Sequence, residues 1–115
     1  MDKPKIVHWK DVPPLHPIEG NFKVRMRILI EERDAPNYIM RIFEVDPGGE
    51  IPQHAHPWEH EIFVLQGTLR LKIGDKEYIV KEGHAIYIPP NVPHEYRNIG
   101  EGVAVFLCTI PKVKK

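Results

Sequence analysis

The stretch Gly48-Gly49-Glu50-Ile51-Pro52-Gln53-His54-Ala55-His56-Pro57-Trp58-Glu59-His60-Glu61-Ile62-Phe63-Val64-Leu65-Gln66-Gly67 carries three histidines within seven residues and runs straight into an apolar segment. A fourth, His94, stands in a second segment, framed by Pro93 and Glu95. An imidazole cluster at the mouth of a strand is a costly arrangement to keep without an ion. Neutral imidazole suits first-row transition metals, and its second ring nitrogen can be held by the protein to fix the tautomer. His54 and His56, two apart on a strand, are expected to leave one face about 7 Å apart. One ion at ~2.0–2.2 Å from each nitrogen bridges that gap. Pro57-Trp58 is expected to end the strand, and His60 to open the next one, antiparallel and adjacent. Only a barrel whose strands bring residues 54–60 and 94 together completes such a site.

Outward from this stretch the pattern is that of short strands. No long segment shows helical periodicity, and 12 prolines and 8 glycines punctuate the chain. Residues 23–28 alternate polar and apolar, and 38–45 read as a second strand ended by the turn Asp46-Pro47-Gly48-Gly49. Further strands are expected over 51–56, 60–66, 68–73, 77–80, 85–88, 92–97 and 103–110, with Gly74-Asp75 closing a tight hairpin. About ten short strands at this spacing indicate a sandwich or barrel. Two of them, Ile62-Phe63-Val64-Leu65 and Val103-Ala104-Val105-Phe106-Leu107, are apolar on both faces. Something must then cover the outer face: a second sheet, the N-terminal segment or another subunit. A homodimer is the expected account.

The bulk numbers bound the rest. At 115 residues the chain makes one domain. Residues 1–22 read as a proline-rich segment wrapping that domain, and 23–115 as the barrel. Lys+Arg and Asp+Glu both count 16, so no basic excess points to nucleic acid. Lys112, Lys114 and Lys115 read as a solvated end. The single Cys108 rules out an intramolecular disulfide and fits a reducing, cytoplasmic setting. Pro4, Pro13 and Pro14 break any signal-peptide-like run, and no apolar run approaches the ~20 residues of a membrane-spanning helix.

The spacing itself resembles a known pair of motifs. Gly48, five residues, His54, one, His56, three, His60, six, Gly67 resembles the first cupin motif, with His60 where glutamate usually stands. Gly83, five residues, Pro89, one, Asn91, two, His94, three, Asn98 resembles the second, with Asn91 replacing the usual glycine. The motifs occupy residues 48–67 and 83–98. The resemblance implies an all-β, single-domain jelly-roll β-barrel of six strands. It also implies a divalent metal at the barrel mouth, with His54, His56, His60 and His94 as ligands. Glu59 and Glu61 compete with His60, but only five residues separate Glu61 from Gly67, against six from His60. The glutamate-to-histidine departure is similar to the four-histidine subgroup of small cupins, many of them dimers holding manganese or another first-row ion. One ion per chain is therefore implied: manganese first, with iron, nickel, copper or zinc as alternatives. Without an anionic ligand the ion keeps its full charge and favours carboxylate or enolate oxygens.

Around the metal, parity supplies candidates. Phe106, Cys108 and Ile110 share one face of the last strand, and Val105, Leu107 and Thr109 the other; either face can look inward. The resemblance implies that the first set lines the substrate pocket, with Ile51 and Arg41 nearby. Arg41 has Ile39 and Phe43 on its own face, which reads as a surface salt bridge or, less simply, as a charge aimed at a ligand. Trp58 reads as a plug of the barrel rim, and His8, His16 and His84 as locally bonded or surface histidines. The combined expectation is a metal-dependent enzyme of dioxygenase or oxidoreductase type, acting on a small anionic or carbonyl-containing ligand. No catalytic residue is assigned. The alternatives are a metal-dependent isomerase or lyase, and a binding or sensing cupin without turnover.

Overall fold

The computed structural model describes residues 3–15 and 20–112, and apart from a 3-10 turn at Trp9–Asp11 its regular elements are all strands. His16 and the Lys114-Lys115 end lie outside the described residues. The strands are β1 (Phe22–Ile30), β2 (Tyr38–His54), β3 (His60–Gln66), β4 (Thr68–Ile73), β5 (Lys76–Lys81), β6 (Ala85–Ile88), β7 (His94–Asn98) and β8 (Ala104–Pro111). Seven join in the order β5-β4-β7-β2-β8-β3-β6, and β1 pairs with β2 off that path. The sheet curls into a jelly-roll barrel of eight strands rather than the six implied by the resemblance. The Gly74-Asp75 hairpin is present, with Ile73 opposite Lys76.

Two expectations about chain direction are corrected. Asp46-Pro47-Gly48-Gly49 does not end a strand; β2 runs on from Tyr38 to His54. In the β1–β2 ladder Phe22 faces Glu50 and Val24 faces Val45, so residues 46–49 bulge out opposite Lys23 while both flanks stay paired. Bulging bends a strand without reversing it. Gly49 is required there, because a Cβ would stand 2.9 Å from the carbonyl oxygens of Phe22, Lys23 and Asp46. Nor is β3 adjacent to β2: strand β8 lies between them and pairs with both. Residues 55–59 instead pass from the β7 side of the barrel, where His54 faces His94, to the β6 side, where His60 faces Ile88.

The burial pattern follows the pleat. Phe43, Val45, Val64, Leu69, Leu71, Ile88, Tyr96 and Phe106 fill the barrel, each fully buried aliphatic or aromatic side chain contributing about 1.5–3 kcal/mol. A second cluster, Leu29, Ile42 and Val105, lies outside it, with Trp9, Val12 and Leu107 packed against it. The N-terminal segment thus covers part of the apolar outer face. Arg27 holds it there, donating to the Val12 carbonyl at 2.8 Å while its Nε reaches Glu44 at 2.7 Å. The rest of that face stays open, with Phe63 43% and Tyr87 57% exposed. Among the described residues no helix is long and apolar enough to cross a membrane.

Gly67, the last residue of the first motif, answers to two constraints at once. Its φ is +85°, and a Cβ would lie 2.7 Å from Ala104 Cα. Gly67→Ala is therefore expected to destabilise the fold by about 1–3 kcal/mol through strain and overpacking. An unchanged urea midpoint would show that the β3–β4 corner can move away from β8.

Candidate metal centre

The four histidines come from three strands and one loop. His54 ends β2 and stands directly opposite His94, the first residue of β7. A regular strand would turn Ile51 and His54 to opposite sides, since they are three apart. A register shift between them rotates His54 to the cavity side instead. Pro52 sits in that break, where its missing N–H costs no ladder bond. His56 lies beyond the end of β2 rather than within a strand, and stacks on Trp58 with ring centroids 4.5 Å apart. Trp58 therefore supports a candidate ligand as well as packing against the core. His60 opens β3 opposite Ile88 of β6.

The second motif is tied to the first through the backbone. Asn91 has φ +66°, a left-handed conformation that asparagine tolerates better than most residues, which is how it replaces a glycine. Its N–H donates to the His56 carbonyl at 2.6 Å. Asn98, 3% exposed, donates to the carbonyls of Val45 and Gly102 and accepts from the Gly100 N–H, all at 2.8 Å. It staples the end of β7 to β2.

These elements gather the imidazoles. Ring centroids are 4.2 Å apart for His54–His94, 4.7 Å for His60–His94, 4.8 Å for His54–His56 and 5.3 Å for His56–His60. As placed, no three His, Cys, Asp or Glu side chains among the described residues form a closed metal-ligating group. The chemistry of the donors nonetheless fits a first-row ion. His54 and His94 each present Nδ1 to a carbonyl, that of Pro52 at 2.8 Å and that of Val92 at 2.9 Å. A carbonyl only accepts, so in the neutral ring Nδ1 holds the proton and Nε2 keeps its lone pair. His94 Nε2 and His60 Nδ1 are buried without a hydrogen-bond partner. Such an orphan costs about 1–3 kcal/mol unless something else satisfies it. Glu61 is on the opposite face of β3, and Glu59 with it lines outer-surface grooves, away from the histidines.

A cavity of about 430 Å³ opens beside the rings. Arg41, Ile51, Phe106 and Cys108 line it with His54, His56 and His60. Ile110 does not; it is buried in the core, one strand turn beyond Cys108. Arg41 is not the surface salt bridge that its flanks suggested. It points inward, stacks over Phe43 at 5.0 Å and donates to Cys108 Sγ at 3.1 Å. Sequence reasoning missed Met26, Phe43 and Tyr96 as lining residues. The signal for Tyr96 was available, since it is two residues from His94 on one strand face. His8 and His84 are local caps, accepting from the backbone N–H groups of Lys10 and Lys81.

Burial and mutual repulsion disfavour the charged forms of His56, His60 and His94. His60 is held down to about 3, first by burial and then by the positive potentials of His94, Arg41, His56 and His54. Burial also lowers His56 and His94, and it raises the Tyr96 phenol and the Cys108 thiol, so both keep their protons. On unfolding, His60 regains an ordinary value near 6.5. Below that pH the unfolded chain takes up protons that the folded chain refuses, so stability is retained above pH 6.5 and lost progressively toward pH 3. In metal-free protein the urea midpoint is expected to fall from neutral pH down to about 4, and less steeply in His60→Gln. A midpoint flat across that window would contradict the neutral buried cluster.

Comparison with known proteins places this architecture. The cupin domain family model matches residues 41–110, which span β2 to β8. The chain is 31% identical over 98 residues to Protein SchB of Streptomyces halstedii, covering 84% of this chain and 70% of that protein. It is similar to the structure of the polyketide cyclase RemF from Streptomyces resistomycificus, with 35% identity and a TM-score of 0.87, over 95% of this chain and 80% of that one. A predicted oxalate decarboxylase from Thermotoga maritima shares the fold, with a TM-score of 0.83 at 21% identity over 95% of this chain and all of its own. Both spaced motifs, 48–67 and 83–98, lie within the matched segment, on a jelly-roll barrel, and this chain belongs to the cupin domain family.

Proposed function

We propose that this chain is a metal-dependent enzyme acting on a small anionic or carbonyl-containing substrate, with His54, His56, His60 and His94 holding one divalent ion. One observation carries the reading. His94, 1% exposed, has its proton committed to the Val92 carbonyl and leaves a buried, unpartnered Nε2 among three other imidazoles. Manganese is the first choice, with iron, nickel, copper or zinc as alternatives, since imidazole accepts all of them. When bound, such an ion supplies Lewis acidity to a carbonyl or enolate oxygen. The chain's own residues do the rest. Met26, Phe43, Ile51 and Phe106 give the cavity apolar walls that limit water, and the protonated Tyr96 phenol lines the same space as a hydrogen-bond donor.

Within that frame we favour isomerase, lyase or cyclase chemistry on a carbonyl-rich substrate over the dioxygenase reading. The likeness to the polyketide cyclase RemF supports this choice. Protein grown without added metals is expected to carry about one ion per chain, and His94→Ala to lower that ratio about tenfold or more while the barrel stays folded. Undiminished stoichiometric metal in the variant would overturn the ligand set. With a β-polyketone substrate, turnover is expected to survive removal of oxygen and to be lost on chelation. Turnover that consumes oxygen would select the dioxygenase, and binding without turnover a sensing cupin.

We also propose that the open apolar face around Phe63, Leu65 and Tyr87 pairs with a second copy of the chain. Light scattering is expected to report twice the 13.4 kDa chain mass. A particle of the single-chain mass would sink the dimer.

A further inference from the structure

The chain has six arginines, at 25, 27, 33, 41, 70 and 97. Five of them make ion pairs, with Asp46, Glu44, Glu31, Glu77 or Glu50. Arg41 makes none among the described residues, although it is the one that points into the barrel. Its only hydrogen-bond acceptors there are sulfur atoms, Cys108 Sγ at 3.1 Å and Met26 Sδ at 3.9 Å. Both are weak and uncharged; burial keeps the Cys108 thiol protonated. Its Nε is buried with no partner at all. No aspartate or glutamate among the described residues lines the cavity.

A guanidinium stays charged, and burying one without a counter-charge is expensive. Stacking on Phe43 at 5.0 Å holds its plane but does not neutralise it. From these observations we infer that Arg41 is the anion-binding residue of the cavity, taking a carboxylate, enolate or phenolate oxygen of the substrate on the guanidinium N–H groups that the two sulfurs leave free. Cys108 and Phe43 act as positioning residues, because they hold the guanidinium without satisfying it. The inference deepens the function proposed above by naming the substrate's charge, yet it stands on Arg41 and the cavity and does not need the metal. A bound divalent ion adds further positive charge to a space that no carboxylate among the described residues lines, which favours an anion more strongly still.

The test uses benzoate and its neutral analogue benzamide as probes, titrated by calorimetry and nuclear magnetic resonance into chelator-treated and metal-loaded protein. Chelator-treated wild-type protein is expected to bind benzoate about tenfold or more tightly than benzamide, and the Arg41 Nε–H resonance to shift on adding benzoate alone. Arg41→Gln is expected to lose that preference, because benzoate binding weakens far more than benzamide binding. Arg41→Lys, which keeps a charge but not the fork, is expected to retain part of it. If Arg41→Gln does not fold, the wild-type preference, the Nε–H shift and Arg41→Lys decide the matter. Equal binding of the two probes, no benzoate binding to wild-type protein, or a preference untouched by Arg41→Gln would overturn the inference. A benzoate preference seen only in metal-loaded protein would also overturn it, leaving the metal reading intact. A preference that persists in protein unable to hold metal would support Arg41 even if the metal reading fails.

Discussion

Strand β2 is gripped along both edges, and its register decides what the barrel can hold. Residues 38–45 pair with β8, residues 50–54 with β7, and β1 spans the bulge between them. Side chains alternate with a period of two, so a one-residue slip would carry Arg41 and Phe43 out of the cavity together. The two irregularities in β2 work within that constraint. The bulge at 46–49 bends the strand around the barrel. The break at Pro52 then resets parity, so that His54 arrives on the side where His94 waits opposite it. The aromatic floor follows the same ladder, since Phe43 and Phe106 are register partners and stack at 5.1 Å, as do Tyr96 and Phe106.

Electrostatically the cavity is unbalanced by construction. Among the described residues it is lined by His54, by His56 and His60, whose charged forms burial disfavours, by a phenol and a thiol that burial holds protonated, and by the Arg41 guanidinium. The β2 carboxylates nearest Arg41 along the chain, Glu44 and Asp46, pair instead with Arg27 and Arg25 of β1. The other five arginines are each paired with a carboxylate, whereas no carboxylate among the described residues lines the inside. Both functional proposals rest on that asymmetry: a ligand set of neutral nitrogens, and a cation awaiting an oxygen.

The outer face shows how a both-sided apolar strand is accommodated. Val105 is covered from within the chain, by Trp9 and Val12 of a segment that Arg27 clamps down. Phe63 and Leu65 on β3 receive no such cover among the described residues. The alternatives weighed from the pattern alone were therefore not exclusive. The N-terminal segment takes one part of the surface and leaves another to be explained.

The histidine spacing, the two glycine-bounded motifs and the alternation of the strands determine by themselves that this chain is a cupin barrel with an imidazole-rich mouth. Ligand types and strand periods are local properties, written at fixed separations along the chain. Inward-facing His60 over Glu61 was legible because the count to Gly67 distinguishes them. Three matters were decided only by tertiary structure. The turn-like Asp46-Pro47-Gly48-Gly49 became a bulge, because β1 pairs across it and keeps both flanks in one strand. Strand β3 was separated from β2, because β8, some forty residues later in the chain, inserts between them. Arg41 turned inward and Ile110 into the core, because the face a strand presents is chosen by what packs on it, and those partners are distant in sequence.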